Sequence, residues 1–349
     1  MRLVLSVVLV AGVAACGGSV STPDGGADSG GGDGKAPPDG GADAVATTCD
    51  DAGSCFAALA FSRVLAGDSD RNLIANANAW KQYGDDIDGK TTTGSSTDVC
   101  QRASGAPAGV QIDGNAGIDN SFGENVLPII ETVLGNSSLS FGWSTAIGAG
   151  QTYAPILRID GLGGAQDYAS LGGGAMLGMP LPANFDGKDV WPISSQSVIG
   201  NDAAKPALAL PGTMTARVYR STPTDGSLPL LLFVGGGTVL LPIKHLVVHA
   251  TIPPDNSTAT DGVISGLVTV ADMQESMRQL LGAATTQVCS GSTWDAIAAQ
   301  IAQAADILQD GTQDPGKPCD AVTIGLGFEG TAIILGQVEN DPPGPAACP

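Results

Sequence analysis

Basic side chains are scarce in this chain: 15 Lys and Arg stand against 35 Asp and Glu in 349 residues, a formal charge of −20. A nucleic-acid partner needs a basic face against its phosphates, and adhesion to an anionic membrane needs a polybasic patch. The sequence supplies neither, so no nucleic-acid partner is expected. Histidine is almost missing, with His245 and His249 alone. Four positions apart on a strand, they would share a face about 13 Å from each other, too far to hold one metal ion. No serine lies in a GxSxG elbow, and no two cysteines have the CxxC spacing of common zinc sites. Aromatics make up only 4% of residues, which leaves little for a broad sugar-stacking face. Trp80, Tyr83, Trp143, Tyr153 and Trp191 are the candidates for such a role, and a core of this size claims most of them. No stretch offers the roughly 20 uninterrupted apolar residues of a membrane-spanning helix. The longest apolar stretches, residues 228–234 and 237–252, contain Pro229, Pro242, Lys244, His245 and His249.

Apolar residues nonetheless reach 43%, too many for a chain disordered throughout. They begin at the N-terminus. Arg2 precedes an apolar run over residues 3–13, which is too short to span a bilayer and suits the central region of a secretory signal. Val13-Ala14-Ala15-Cys16 follows. This stretch resembles the lipobox of bacterial lipoproteins. The resemblance implies a signal peptide over 1–15 and a mature N-terminus at Cys16, acylated with a diacylglycerol and a further acyl chain such as palmitate. Two or more chains hold a protein stably on one leaflet, where a single chain holds it only marginally. In that family an Asp after the cysteine favours the inner membrane; Gly17 stands there instead, which implies the outer membrane. Residues 16–48 then read as a flexible Gly/Asp/Pro spacer in which PDGGAD occurs twice, at residues 23–28 and 38–43.

Seven cysteines are present, and assigning Cys16 to lipid leaves Cys49, Cys55, Cys100, Cys289, Cys319 and Cys348. An even number in an exported chain reads as three disulfides. Six cysteines allow 15 connectivities. Cys289 with Cys319, bracketing a helix, and Cys49 with Cys348, near the two ends, are the pairings favoured here.

Residues 49–349 read as a single disulfide-stabilised, β-rich domain. Short apolar runs at 138–147, 153–159, 213–219, 228–234, 238–252, 262–270, 321–326 and 331–338, broken by Gly, Pro, Asn and Asp, predict strands. That density predicts a mainly β fold, an antiparallel sandwich or jelly roll with two to three short helices. Ser121-Phe-Gly-Glu124 has the capping-box pattern ahead of an apolar run to Leu134, with Pro128 as a kink. Thr269-Val-Ala-Asp272 opens a second helix with Met273, Met277, Leu280 and Leu281 on one face and Gly282 as its stop. Ser292-Thr-Trp-Asp295 opens a third, with Ile297, Ile301, Ala304 and Leu308 at helical spacing.

Two acidic segments carry the only chemistry that stands out. Asp85-Asp86-Ile87-Asp88-Gly89-Lys90 is one; Asp113-Gly-Asn115-Ala-Gly-Ile-Asp119-Asn120 is the other. Asp and Asn at alternate positions around a Gly turn can present several oxygens to one calcium ion, although turns prefer the same residues. Neither fits an EF-hand, because aligning Gly89 with the turn glycine puts Ser95 where the bidentate Glu belongs. Asp85, Asp86, Asp88, Asp113, Asn115 and Asp119 are the candidate calcium ligands. Gly325-Leu-Gly327-Phe-Glu-Gly330 satisfies GxGxxG, but Thr331-Ala-Ile-Ile-Leu after it predicts a strand, where a dinucleotide site needs a helix. A glycine-rich hairpin is expected there instead. No catalytic residue is singled out, since any chain with 35 acids offers carboxylate pairs.

The stretches AWKQYGDDIDGK and DGNAGIDNSFG, together with the DGGAD spacer, are similar to uncharacterised exported bacterial lipoproteins over most of residues 49–349. The resemblance implies location and architecture without an activity. The expectation is a lipid-anchored envelope protein of binding or structural type, with a protein or polysaccharide partner. A surface polymer hydrolase using acidic residues, or a calcium-dependent carbohydrate-binding module, is the alternative.

Overall fold

The computed structural model describes residues 47–49, 55–135, 137–185, 189–230, 239–341 and 348. The expected signal peptide, the expected acylation site Cys16 and most of the expected spacer lie outside the described residues.

In chain order the elements are β1 (Thr47–Cys49), β2 (Cys55–Leu65), α1 (Leu127–Val133), α2 (Leu139–Gly148), β3 (Ala154–Asp160), β4 (Tyr168–Gly178), β5 (Val190–Ser194), β6 (Leu208–Ala209) and β7 (Gly212–Thr215). There follow β8 (Val218–Ser221), β9 (Thr224–Leu230), β10 (Val239–Thr251), β11 (Thr258–Thr269), α3 (Val270–Ala284), α4 (Gly291–Gln303), β12 (Ala321–Ala332) and β13 (Ile334–Glu339).

The fold is mainly β and antiparallel, as the sequence predicts. The pairings among the described strands do not establish the expected sandwich or jelly roll. Pairings run from β2 to β3, β4, β7, β8, β10, β11 and β12, and β12 pairs back onto β2, giving a barrel-like ring of eight strands. Every neighbour in the ring is antiparallel, so closure satisfies edges that an open sheet would leave unpaired.

Register sorts the side chains of the ring onto two faces. Val248, Ile264 and Leu326 are cross-strand partners and belong to the main apolar core, with Tyr219, Ala250, Ile324 and Phe328. The neighbouring positions form the opposite face, where Arg220 pairs with His249, Val263 with Gly327, Ser265 with Gly325 and Leu267 with Thr323. Tyr83, Asp85 and Asn120, from the long connection between β2 and β3, pack on this second face, while Phe122, Leu127, Ile130 and Trp143 of the same connection join the main core.

Two glycines of β12 are needed for that packing. A Cβ at Gly325 would lie 2.0 Å from Tyr83 O, and one at Gly327 would lie 2.7 Å from the Tyr83 ring. The GxGxxG stretch thus lies inside one strand, neither a nucleotide loop nor the expected hairpin, and its glycines make room for a neighbouring chain segment.

Several local expectations are corrected. Residues 138–147 form helix α2, not a strand. Ser138 accepts from Phe141 N and caps it, while Ser140 and Ser144 on its buried side accept from Ala66 N and Val64 N at 2.7 and 3.1 Å. The hydroxyls of both serines thus serve the end of β2. Residues 213–219 are two strands joined at Ala216 and Arg217, both at positive φ (48° and 67°). Arg217 is buried, and its guanidinium donates to the carbonyls of Gly163, Ala165, Ile252 and Pro253 and to Asn256 Oδ1, which holds the turn.

Thr269 caps α3 as expected, but the helix runs past Gly282 to Ala284. A Cβ at Gly282 would stand 2.2 Å from Cys348 Sγ, so this glycine is a crossing point for a disulfide and no helix stop. The Ser121 capping box does not form, because the Ser121 hydroxyl donates to Ala304 O at 2.6 Å. A register shift between Lys244 and Val247 breaks the alternation that would have placed His245 and His249 on one face.

The disulfides differ from both favoured pairings. Cys100 bonds Cys319, and Cys289 bonds Cys348. The first joins the β2–β3 connection to the entry of β12, and the second ties position 348 to the turn after α3. Cys55 is also disulfide-bonded, and Cys49 is its register partner across β1 and β2.

Candidate cation site between two aspartate loops

The two acidic segments, 28 residues apart between Asp85 and Asp113, meet in space. Main-chain bonds lock them together: Asp119 N donates to Asp85 O at 3.0 Å and Asp113 N to Thr92 O at 3.1 Å. Asn120 then fixes both to the ring. Its Nδ2 donates to Trp80 O, Tyr83 O and Gly325 O, and its Oδ1 accepts from Gly123 N and Gly325 N. All five bonds lie between 2.9 and 3.1 Å and the residue is buried.

Within this frame the six candidate ligands separate. Asp86, Asp88 and Asp119 each bring a carboxylate oxygen within 4.8 Å of the other two. Asp119 is buried, Asp88 half-buried and Asp86 exposed. Asp113 lies against this group, accepting from Thr92 N and hydrogen-bonded to the Asp119 carboxyl. Asn115 is exposed in a turn at Asn115–Gly117, where its carbonyl accepts from Ile118 N. Asp85 points elsewhere. Its carboxylate accepts from Arg220 at 2.9 Å and from the Ser265 hydroxyl, with His249 Nε2 at 3.6 Å, so it binds the loop to the ring.

The electrostatics divide in the same way. Burial opposes ionisation of Asp85, but the hydrogen bonds from His249, Ser265 and Arg220 outweigh it and hold the carboxyl well below the usual range. At Asp119, burial and then the charge of Asp306 push the carboxyl strongly upward. Burial also raises Asp113, with the charges of Asp88 and Asp86 adding to it. Asp86 is raised too, first by burial.

Asp306 is a member that the sequence did not reveal. It sits between Ala305 and Ile307, beyond the C-terminus of α4, and its carboxylate accepts from the main chain and hydroxyl of Thr323 at 2.9 and 2.6 Å. Burial pushes it up to about 7 despite those bonds. A lone Asp in an apolar stretch was the only available signal.

Two observations test whether a cation fits. Asp88 Oδ1 accepts from Lys90 N at 2.8 Å, but Asp88 Oδ2 is sealed from solvent and has no hydrogen-bond partner. A buried carboxylate oxygen without a partner is costly, and a bound cation is one remedy. The donor set is also all oxygen, which suits hard cations such as calcium and not thiolate-seeking metals. The three carboxylates could therefore hold a metal ion.

A second acidic place lies between residues 67–81 and α1, in a cleft of about 580 Å³ lined by Asp68, Lys81, Glu124 and Glu131. Asp68 accepts from the hydroxyls of Ser138 and Ser140 and is hydrogen-bonded to Glu131. Glu131 in turn accepts from Leu139 N at 3.2 Å. The pair thus serves the N-terminus of α2, where negative charge is favoured. Among the described residues, no helix is long and apolar enough to cross a membrane.

Compared with family models, curated proteins and solved structures, the chain finds no match.

Proposed function

We propose that the chain is a lipid-anchored protein of the cell envelope, held at the outer membrane by acyl chains on Cys16. Its barrel-like domain is a non-catalytic binding or structural module, and Asp86, Asp88 and Asp119 hold a calcium ion. The observation that carries the calcium reading is the partnerless, buried Oδ2 of Asp88 among carboxylates that burial and mutual repulsion have raised. Millimolar affinity, typical of extracellular modules, suffices outside a cell. Calcium would supply the positive charge this group lacks, and its binding would join the two loops that cover the ring. A thermal melt in calcium against EDTA tests this. Stabilisation by mass action should raise the midpoint by several degrees and should disappear in Asp88→Asn. An unchanged midpoint in saturating calcium would remove the reading.

The anchor rests on Val13-Ala14-Ala15-Cys16. Cys16→Ser should release soluble protein or block maturation; unchanged membrane retention would count against it. A hydrolase is the second reading, favoured by the Asp68–Glu131 pair in its cleft. Aligned with that reading, Glu131→Gln should abolish hydrolysis of a polymer substrate. The capping bonds to α2 already account for both side chains, so the binding module stands first.

A further inference from the structure

We infer that the groove between β6 and β9 receives an extended segment of a partner protein, which adds to the barrel as a strand and sets a Lys or Arg side chain against Asp225. This rests on the binding-module reading and deepens it by naming the surface and the kind of partner; it does not depend on calcium.

The ring is closed at one level and split at another. Along β4, Tyr168 and Leu171 pair with β7, while Gly174 and Ala175 pair with β6. Along β10, His249, Ala250 and Thr251 pair with β8, while the stretch from Val239 to Leu246 pairs with β9. β7 and β8 pair with each other and close the first level. At the second level, among the described residues, β6 pairs with β4 alone and β9 with β10 alone. Alternate residues of a strand direct their main-chain groups to its two sides, so both strands present such groups toward the split.

A groove of about 520 Å³ lies there. Thr224–Ser227 of β9 line one side and Ala207–Ala209 the other. Leu208 is the floor. It is buried and lies against Gly226, where a Cβ would come 2.3 Å from Leu208 Cδ1, so it separates the groove from the core. Ala207 and Ala209 project little, and another backbone can approach closely. The four residues of β9 cover about 13 Å at the usual strand rise, which matches a short added strand. Strand addition gives its affinity through main-chain hydrogen bonds and its specificity through the side chains that flank them.

Charge selects the partner. Asp225 is the only charged residue that lines the groove. Its Oδ1 accepts from His245 N at 3.0 Å, inside the bulge of β10, where His245 is held at a φ of 52°. Backbone strain of this kind concentrates at functional sites. The bond fixes the carboxylate in place and leaves Oδ2 for a cationic side chain, so little ordering is left to be done on binding. The chain as a whole carries −20, which attracts a basic segment and opposes a second copy of itself.

The test is an NMR titration of the full chain with the blocked peptide Thr-Val-Lys-Val-Thr, with its counterpart carrying Glu for Lys, and with the Lys peptide N-methylated along its main chain. The Lys peptide should shift the amide signals of residues 207–209 and 224–227. The Glu peptide should bind about tenfold more weakly, and N-methylation should abolish binding. Asp225→Asn keeps an acceptor for His245 N and removes the charge, so it should melt with the wild type and lose the preference for Lys over Glu. No shift with the Lys peptide, shifts confined to other residues, or undiminished binding after N-methylation overturns the inference. So does a concentration-dependent dimer in sedimentation that moves the same signals, since a second copy would then be the occupant. Each of those results leaves the binding-module reading standing on its calcium melt. That reading falls separately, if the chain hydrolyses a polymer and Glu131→Gln abolishes it.

Discussion

Asp85 Oδ1 accepts a 2.9 Å hydrogen bond from Arg220 of β8, across 135 positions of sequence. With Ser265 and His249 beside it, this contact spans three neighbouring strands of the ring. Its carboxylate thus faces the ring, while the neighbouring Asp86 groups with Asp88 and Asp119.

Asp85→Asn should therefore destabilise the protein by about 1–3 kcal/mol at pH 7, the cost of weakening charge-assisted bonds to a mostly buried carboxylate. The native carboxyl titrates below its unfolded value, so the contribution is complete above about pH 4 and fades as pH falls toward the native value. Urea unfolding at pH 7 and pH 3 measures this. An equal deficit at both pH values would show that the loss is steric and not ionic.

Glu131 gives the opposite slope. Burial, then its hydrogen bond with Asp68, raises it to about 7. The native state then holds a proton that the unfolded chain releases near pH 4.3, so stability declines as pH rises between about 4.3 and 7. Glu131→Gln should flatten the decline, read as denaturation midpoints at pH 4.5 and 7.5. A variant with the wild-type slope would assign the pH dependence to other groups.

Asn120 has five hydrogen bonds inside the protein, and three of its acceptors are carbonyls from two separate segments. Asn120→Ala should cost about 3–5 kcal/mol, since several buried polar groups lose their partners together. Asn120→Asp should not rescue it, because a carboxylate would face those carbonyls. Chemical denaturation of both variants checks this; a loss below about 1 kcal/mol would mean that water replaces the side chain freely.

Cys100–Cys319 closes 219 residues of chain and Cys289–Cys348 closes 59. Replacing Cys100 and Cys319 together by serine should cost about 2–5 kcal/mol. Peptide mapping under non-reducing conditions should recover both pairs. A Cys289–Cys319 peptide would contradict the connectivity.

Some of this was legible in the sequence. Antiparallel β class, helices α3 and α4, and the acidic loops could be read because each depends on local spacing: Met273, Met277 and Leu280 on one helix face, Asp86 and Asp88 around a Gly turn. Residues that act across the chain could not. Residues 138–147 could not be told from a strand, because Ser140 and Ser144 find their partners, Ala66 and Val64, more than 70 positions away. Asp306 joins Asp119 only through tertiary packing, and Gly325 has a purpose only once Tyr83 lies upon it. Ring closure was equally hidden, since no local pattern separates a strand that ends a sheet from one that returns to its start.

That closure also sets an order of events. Along the ring, pairing runs from each strand to the next ring strand in the chain, apart from β12 with β2, where Ser62 meets Glu329 across 267 positions. A chain delivered from its N-terminus leaves β2 with one edge open until nearly everything else has emerged. The Cys100–Cys319 bond draws the same two regions together, so oxidation and closure should reinforce each other. The slowest step of folding is then the joining of the first ring strand to the last. Until it happens, the apolar edge of β2 is the part of the molecule most in need of protection from its neighbours.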